Sequence, residues 1–295
     1  MKTFLWTVAL CLAAIAGPAA STQENNAPAV MPGPAIGLHY RSLQPGETIL
    51  VSLDDKRGIR RAVFRFHGRS YALDEAAPFA LIGLDLDMKP GTYPMEITIT
   101  RTDRGPDAVR KDVIIEAKEF PKTKLWVKEA YAVPPKELEE RIAREAELLT
   151  SVFSMSTKKW LGDGDFIVPH EGKAFPNFGQ RRIYNNRPRS THTGVDIAAP
   201  LGDPVRATNA GKIVLASDLY LGGKTVIIDH GQGIFSSYGH MSKLLVKRGG
   251  TVHKGEIIGL SGSTGRSTGP HLHWGMRIYD ARIDPFSLLG LHIAG

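Results

Sequence analysis

Residues 265–274 read Gly-Arg-Ser-Thr-Gly-Pro-His-Leu-His-Trp and end on the closely spaced pair His271 and His273. In a strand, residues two apart point to the same face, with Cα atoms roughly 6.5–7 Å apart. Read as a strand, the stretch sets two imidazoles side by side. One ring can then bind a metal while the other stands beside the open position where a catalytic zinc keeps water. Upstream, His192-Thr193-Gly194-Val195-Asp196 puts an imidazole and a carboxylate four residues apart. Gly194 between them and Ala198-Ala199-Pro200 after them disfavour a helix, so a loop running into a strand must bring the two together. His240, in Tyr238-Gly239-His240, is a further candidate. Two imidazoles and one carboxylate form a donor set suited to Zn²⁺ with water as fourth ligand, and a nearby neutral imidazole suits proton transfer.

Around these motifs, from about 166 onward, short apolar runs such as Val226-Ile227-Ile228 and Ile257-Ile258 alternate with glycines, as in a sheet protein. Ahead of them, Leu138, Ile142, Ala146, Leu149 and Phe153 recur at helical spacing after Pro134-Pro135, which predicts one amphipathic helix over 134–153 that docks on a neighbouring domain. Between 37 and 118, five short runs read as strands: 49–53, 62–66, 84–86, 93–99 and 113–117. Breakers such as Lys89-Pro90-Gly91 separate them, and the spacing suits a small antiparallel sandwich. Asp54, Asp55, Asp85 and Asp87 lack the spacing of a calcium loop and read as solvated.

Length and composition agree with this division. At 295 residues the chain suits two domains, and 42% apolar with 23% charged residues excludes a disordered chain, a coiled coil and a polytopic membrane protein. The net charge of +7 suits an anionic partner without choosing among nucleic acid, membrane surface and cell-wall polymer. Lys2 followed by the apolar run Phe4–Ala16 and small residues reads as a secretion signal over 1–20, too short to span a bilayer. The single cysteine, Cys11, lies inside it, so the mature chain would carry no thiol and any metal site must use histidines and carboxylates. Residues 21–36 read as a flexible leader.

Gly265–Trp274 and His192–Asp196 resemble the two signatures of the LytM/lysostaphin-type zinc endopeptidases. Gly202–Ala207, Ile228–Gly231, Tyr238–Met241 and Val252–Gly259 follow in the family's order, so the resemblance covers roughly Phe166 to Leu289. It implies an antiparallel-sheet domain with a substrate groove and one Zn²⁺, hydrolysing peptide bonds in peptidoglycan stems or cross-links. Carried over residue by residue, His192, Asp196 and His273 would hold the zinc, and His240 and His271 would be the paired catalytic imidazoles. Tyr184 would take the place of a tyrosine that assists the transition state in some members. The residues before the peptidase are similar, more loosely, to the Ig-like sandwiches that precede such domains.

The expected architecture is therefore mainly β: an Ig-like sandwich over 37–120, a helical linker over 121–165 and a zinc metallopeptidase domain over 166–295. The expected setting is the periplasm or cell envelope, with peptidoglycan as partner, no nucleic acid and no stable membrane insertion after signal cleavage. Arg187 and Arg189, just before His192, are expected to line the groove and meet stem-peptide carboxylates. A phosphate loop at 262–268 is excluded because Leu260 and Arg266 stand where that motif needs Gly and Lys. The alternative reading is a non-hydrolytic wall-binding or amidase-regulating module that keeps a metal site.

Overall fold

Strand periodicity is plainest in Gly91–Arg101, where Met95, Ile97 and Ile99 are buried and Glu96, Thr98 and Thr100 between them are exposed. A computed structural model describes residues 6–8, 36–53, 58–73, 78–103 and 105–293. Most of the expected signal and leader, together with Asp54 and Asp55, lies outside the described residues.

The N-terminal unit consists of β1 (Trp6–Val8), β2 (Ile36–Tyr40), β3 (Thr48–Leu53), β4 (Ile59–Phe66), β5 (Arg69–Leu73), β6 (Phe79–Gly83), β7 (Gly91–Arg101) and β8 (Asp107–Ile115). Two antiparallel sheets, in orders β1-β2-β3-β6 and β5-β4-β7-β8, pack face to face around Ile49, Val51, Phe64, Ile82, Met95 and Ile99. The expected strand over 84–86 is instead a turn, and the strand lies just before it, in β6. Asp85 explains the difference: its carboxylate accepts from the Arg282 backbone N–H at 2.9 Å and from the Arg282 guanidinium at 2.7 and 3.0 Å. Asp87 pairs with both Arg181 and Arg282. Both aspartates thus pair with residues of the later part of the chain, Asp85 half-buried and Asp87 still exposed in its turn.

The linker follows as β9 (Lys122–Leu125), α1 (Glu129–Ala132) and α2 (Lys136–Ser154). Glu137 and Glu139 stand in the first turn of α2, where negative charge favours the helix dipole. Leu148, Leu149, Val152 and Phe153 of this helix pack on Leu215, Leu219, Ile227 and Phe235.

The C-terminal unit contains β10 (Arg181–Tyr184), β11 (Arg187–Thr191), β12 (Gly194–Ala198), β13 (Pro204–Arg206), β14 (Gly211–Leu219), β15 (Gly223–Gly231) and β16 (Ile234–Met241). After them come β17 (Lys243–Leu244), β18 (Thr251–Val252), β19 (Ile257–Leu260), β20 (His271–Ile278) and β21 (Ala281–Ile283). The central sheet has the order β12-β20-β16-β15-β14-β18, with β21 on β20, and all of its pairings are antiparallel. A smaller sheet, β13-β19-β17, packs with it, and β9 joins β10 in a parallel pairing.

The two units share a core. Ile49-Leu50-Val51 is buried throughout: Ile49 and Val51 face the sandwich, while Leu50 joins the peptidase-side core with Phe79, Leu81 and Leu86. A strand covered on both faces reads as an unbroken apolar run. Polar contacts reinforce the seam, including Thr48 Oγ1 to Ser287 Oγ at 2.7 Å and Arg41 bridging Glu47 and Asp284.

Candidate active site

In the central sheet β20 lies between β12 and β16, so His273 stands across from Asp196 on one side and Gly239 on the other. Strand alternation sends Leu272, Trp274 and Met276 into the core and leaves His271, His273 and Gly275 on the opposite face. His192 approaches from the loop before β12, held by backbone hydrogen bonds with Gln180 and Gly179. Gly194 must lack a side chain here, since a Cβ would sit 2.4 Å from Trp274 O and 2.9 Å from the His273 ring.

His192 Nε2, Asp196 Oδ1 and His273 Nδ1 converge at separations of 2.9, 3.0 and 3.2 Å. Ligand atoms about 2.0–2.2 Å from a tetrahedral metal lie roughly 3.3 Å apart, so the trio has nearly the spacing a metal ion requires. The atoms are of the right kind as well. His192 Nδ1 donates to Asn177 O at 2.9 Å, which leaves Nε2 with a lone pair aimed at the centre. Burial pushes the His192 imidazole down to about 4, so it is neutral and able to ligate at pH 7. Burial alone would raise the Asp196 carboxyl, but its contacts with the His192 and His273 rings hold it far below the usual carboxylate range. The donor set therefore fits a metal: two imidazole nitrogens and a carboxylate oxygen that converge on one point.

The second carboxylate oxygen is fixed from behind. Asp196 Oδ2 accepts from Asn177 Nδ2 at 2.9 Å and from the Arg182 guanidinium at 2.6 Å, and Asn177 Oδ1 accepts the Asp196 backbone N–H at 3.1 Å. These contacts leave Oδ1 turned toward the two imidazoles.

Two more histidines flank the trio. The His271 and His240 rings lie 4.8 Å apart, and His240 is 5.9 Å from His273. Each Nδ1 sits 2.8 Å from a carbonyl, Gly269 O for His271 and Thr264 O for His240. A carbonyl only accepts, so both Nδ1 atoms carry a proton, and in the neutral form each ring presents its lone pair at Nε2. His271 Nε2 is 3.6 Å from Asp196 Oδ1. Burial pushes the His240 imidazole down to about 3, with His273 and His271 adding to the effect, so it too is neutral. His240 has φ +63°, a left-handed conformation that a non-glycine residue holds only under constraint, and its N–H is tied to Gly222 O.

The remaining expected residues are less central. Tyr184 is buried in β10 with the Arg266 guanidinium 4.4 Å above its ring, and among the described residues no hydrogen bond links its hydroxyl to the histidines or Asp196. Arg187 donates to Glu129 Oε1 at 2.6 Å. Arg189 lies in β11, but its side chain is outside the described residues. Sequence reasoning missed Asn177 and Arg182 as supports of Asp196. Arg182 stands in the basic run 181–184, and neither residue has a motif spacing that links it to Asp196.

Residues 190–285 match the sequence profile described as Peptidase family M23. Over 110 residues the chain is 44% identical to a Vibrio cholerae protein named Peptidoglycan DD-endopeptidase ShyA, covering 37% of this chain and 26% of that one. Over 97 residues it is 45% identical to the DD-carboxypeptidase/endopeptidase Mpg of Neisseria meningitidis, covering 33% and 22%. The chain thus spans about a quarter of the length of these relatives. A crystal structure of a peptidase M23 from Pseudomonas aeruginosa aligns far more fully: 30% identity, a TM-score of 0.62, and coverage of 84% of this chain and 96% of that one. The chain belongs to peptidase family M23. Beside the histidines its M23 domain carries a cavity of about 180 Å³, lined by His240, His273, Gly239, Ser237 and Gly275, and walled by Leu149 and Phe153 of α2. Among the described residues no helix is long and apolar enough to cross a membrane.

Proposed function

We propose that this chain is an exported zinc metalloendopeptidase that hydrolyses peptide bonds in peptidoglycan, acting in the periplasm or cell envelope. The observation that carries the reading is the five-residue constellation: three converging donor atoms on His192, Asp196 and His273, with the paired imidazoles of His240 and His271 beside them. Two nitrogens and one oxygen at this spacing suit zinc. A bound zinc ion polarises a carbonyl oxygen and acidifies a water ligand.

The chain's own groups supply the rest. Asn177 and Arg182 orient the Asp196 carboxylate, and the Asn177 carbonyl fixes the tautomer of His192. His271 Nε2 takes a proton from the attacking water as general base, and the protonated ring returns it to the leaving amine. His240, held neutral beside His271, accepts a hydrogen bond from a protonated or hydroxylic neighbour. Tyr184 contributes to the transition state only by reaching the site from beneath Arg266. Arg187 meets a substrate carboxylate only by releasing Glu129. The names of the relatives, which specify DD-bonds, favour a D-alanyl cross-link as the bond cut.

Digestion of purified peptidoglycan by the mature protein, with released fragments identified by mass, tests the proposal. The expected products are uncross-linked peptides, absent when the metal is chelated and restored by added zinc. Fragments cut in the glycan strand, or no release at all with one zinc bound per chain, would overturn it.

A further inference from the structure

Beyond the histidines, β20 continues through Gly275 to Arg277, and alternation keeps Arg277 on the same face as His271 and His273. Four residues of strand separate His273 from Arg277, roughly 13 Å, which is also the span of about four residues of extended peptide. His240, His273 and Arg277 all line the one cavity beside the metal trio. Between them lie Gly275 and Ser237, paired across β20 and β16, with Gly239 opposite His273, three small residues that leave room for a backbone.

The Arg277 guanidinium lies 4.3 Å over the Phe153 ring of α2. Among the described residues it has no hydrogen bond and no ion pair. The nearby carboxylates are engaged elsewhere, Asp85 by Arg282 and Asp280 by Arg69. Burial, with the Arg282 guanidinium nearby, holds its pKa below the ordinary arginine value. The residue is half-buried and its guanidinium remains open to a ligand, and a guanidinium fork matches a carboxylate with two parallel hydrogen bonds. Arg187, the groove cation expected from sequence, already has an acidic partner in Glu129.

We infer that Arg277 forms an anion subsite at the far end of the groove, which binds a carboxylate of the substrate peptide within about four residues of the scissile bond. The inference rests on the peptidase reading and names what that groove recognises. Phe153 presents the guanidinium, and the small floor residues let the peptide lie flat between it and the histidines.

The test uses the full chain carrying His271→Ala, loaded with zinc so that binding is read without cleavage. Two D-alanine-terminated pentapeptides serve as probes, one with free carboxyl groups and one with every carboxyl amidated, titrated by calorimetry. The acid should bind at least about tenfold more tightly than the amide, since a charge-assisted pair of this kind is worth that much. Adding Arg277→Met, whose stem still covers Phe153, should abolish the difference, and Arg277→Lys should keep part of it, with thermal unfolding of both variants checked for an intact fold. Equal binding of acid and amide, no binding of either, or a preference that survives Arg277→Met would overturn the subsite. Peptidoglycan cleavage without carboxylate preference removes the subsite and leaves the peptidase standing, whereas preference without cleavage does the reverse.

Discussion

The two oxygens of the Asp196 carboxylate face different neighbours, Oδ1 the imidazoles of His192 and His273, and Oδ2 the side chains of Asn177 and Arg182. Removing the Oδ2 partners frees the carboxylate to rotate and lose its aim. Arg182→Met is therefore expected to weaken metal affinity by about 10–100-fold, the usual cost of losing a hydrogen-bond partner behind a ligand. Competition with a chromophoric chelator measures it, and unchanged affinity would mean that Asn177 alone suffices. The five converging side chains were legible in sequence because two short motifs carry four of them at fixed spacing. Asn177 and Arg182 were not legible, because they reach Asp196 across 19 and 14 residues of chain that no periodicity links to it.

At the scale of elements, β15 and β16 bury an imidazole that takes no part in the site. His230 Nδ1 donates to Ala210 O at 2.7 Å, and Nε2 lies 2.8 Å from Ser236 Oγ. Burial pushes this ring from 6.5 down to about 4. The unfolded chain thus takes up the proton first as pH falls, so folding stability declines from about pH 6.5 to about pH 4. His230→Gln, which can donate and accept but not titrate there, should be less stable at pH 7 and show a shallower decline across that window in denaturant titrations. An identical slope would mean the pH dependence comes from other groups. The sequence reading expected the helix over 134–153, and α2 occupies Lys136–Ser154, because its apolar period of Leu149, Val152 and Phe153 meets a matching patch on the sheet. The expected strand at 84–86 failed because Asp85 answers to Arg282, a partner 197 residues away.

Across the whole molecule, the sandwich and the M23 domain are not beads on a linker. Leu50, Phe79, Leu81 and Leu86 belong to the peptidase-side core, and each buried side chain of this size contributes about 1.5–3 kcal/mol. Deleting residues 1–160 is expected to lower the unfolding temperature and promote aggregation, while the full chain should unfold in one cooperative transition by calorimetry. Two separate transitions in the full chain would contradict a shared core. This docking was hidden in the sequence, where Ile49–Leu53 reads as an ordinary sandwich strand and Phe79–Ile82 is not read as a strand at all. An apolar run shows that a strand is covered on both faces without naming what covers it. The mainly β class was legible from glycine and proline spacing, and the metal-site region from its motifs.

The measurement that bears most directly on the proposed chemistry is the zinc content and peptidoglycan cleavage rate of His271→Ala beside the unaltered protein. His271 Nε2 lies 3.6 Å from Asp196 Oδ1, yet His271 is not one of the three converging donors. The variant should hold about one zinc per chain and cleave at least about 100-fold more slowly, the loss expected for a general base. Loss of the zinc, or cleavage at the original rate, would contradict the division of roles between the three ligands and the paired imidazoles.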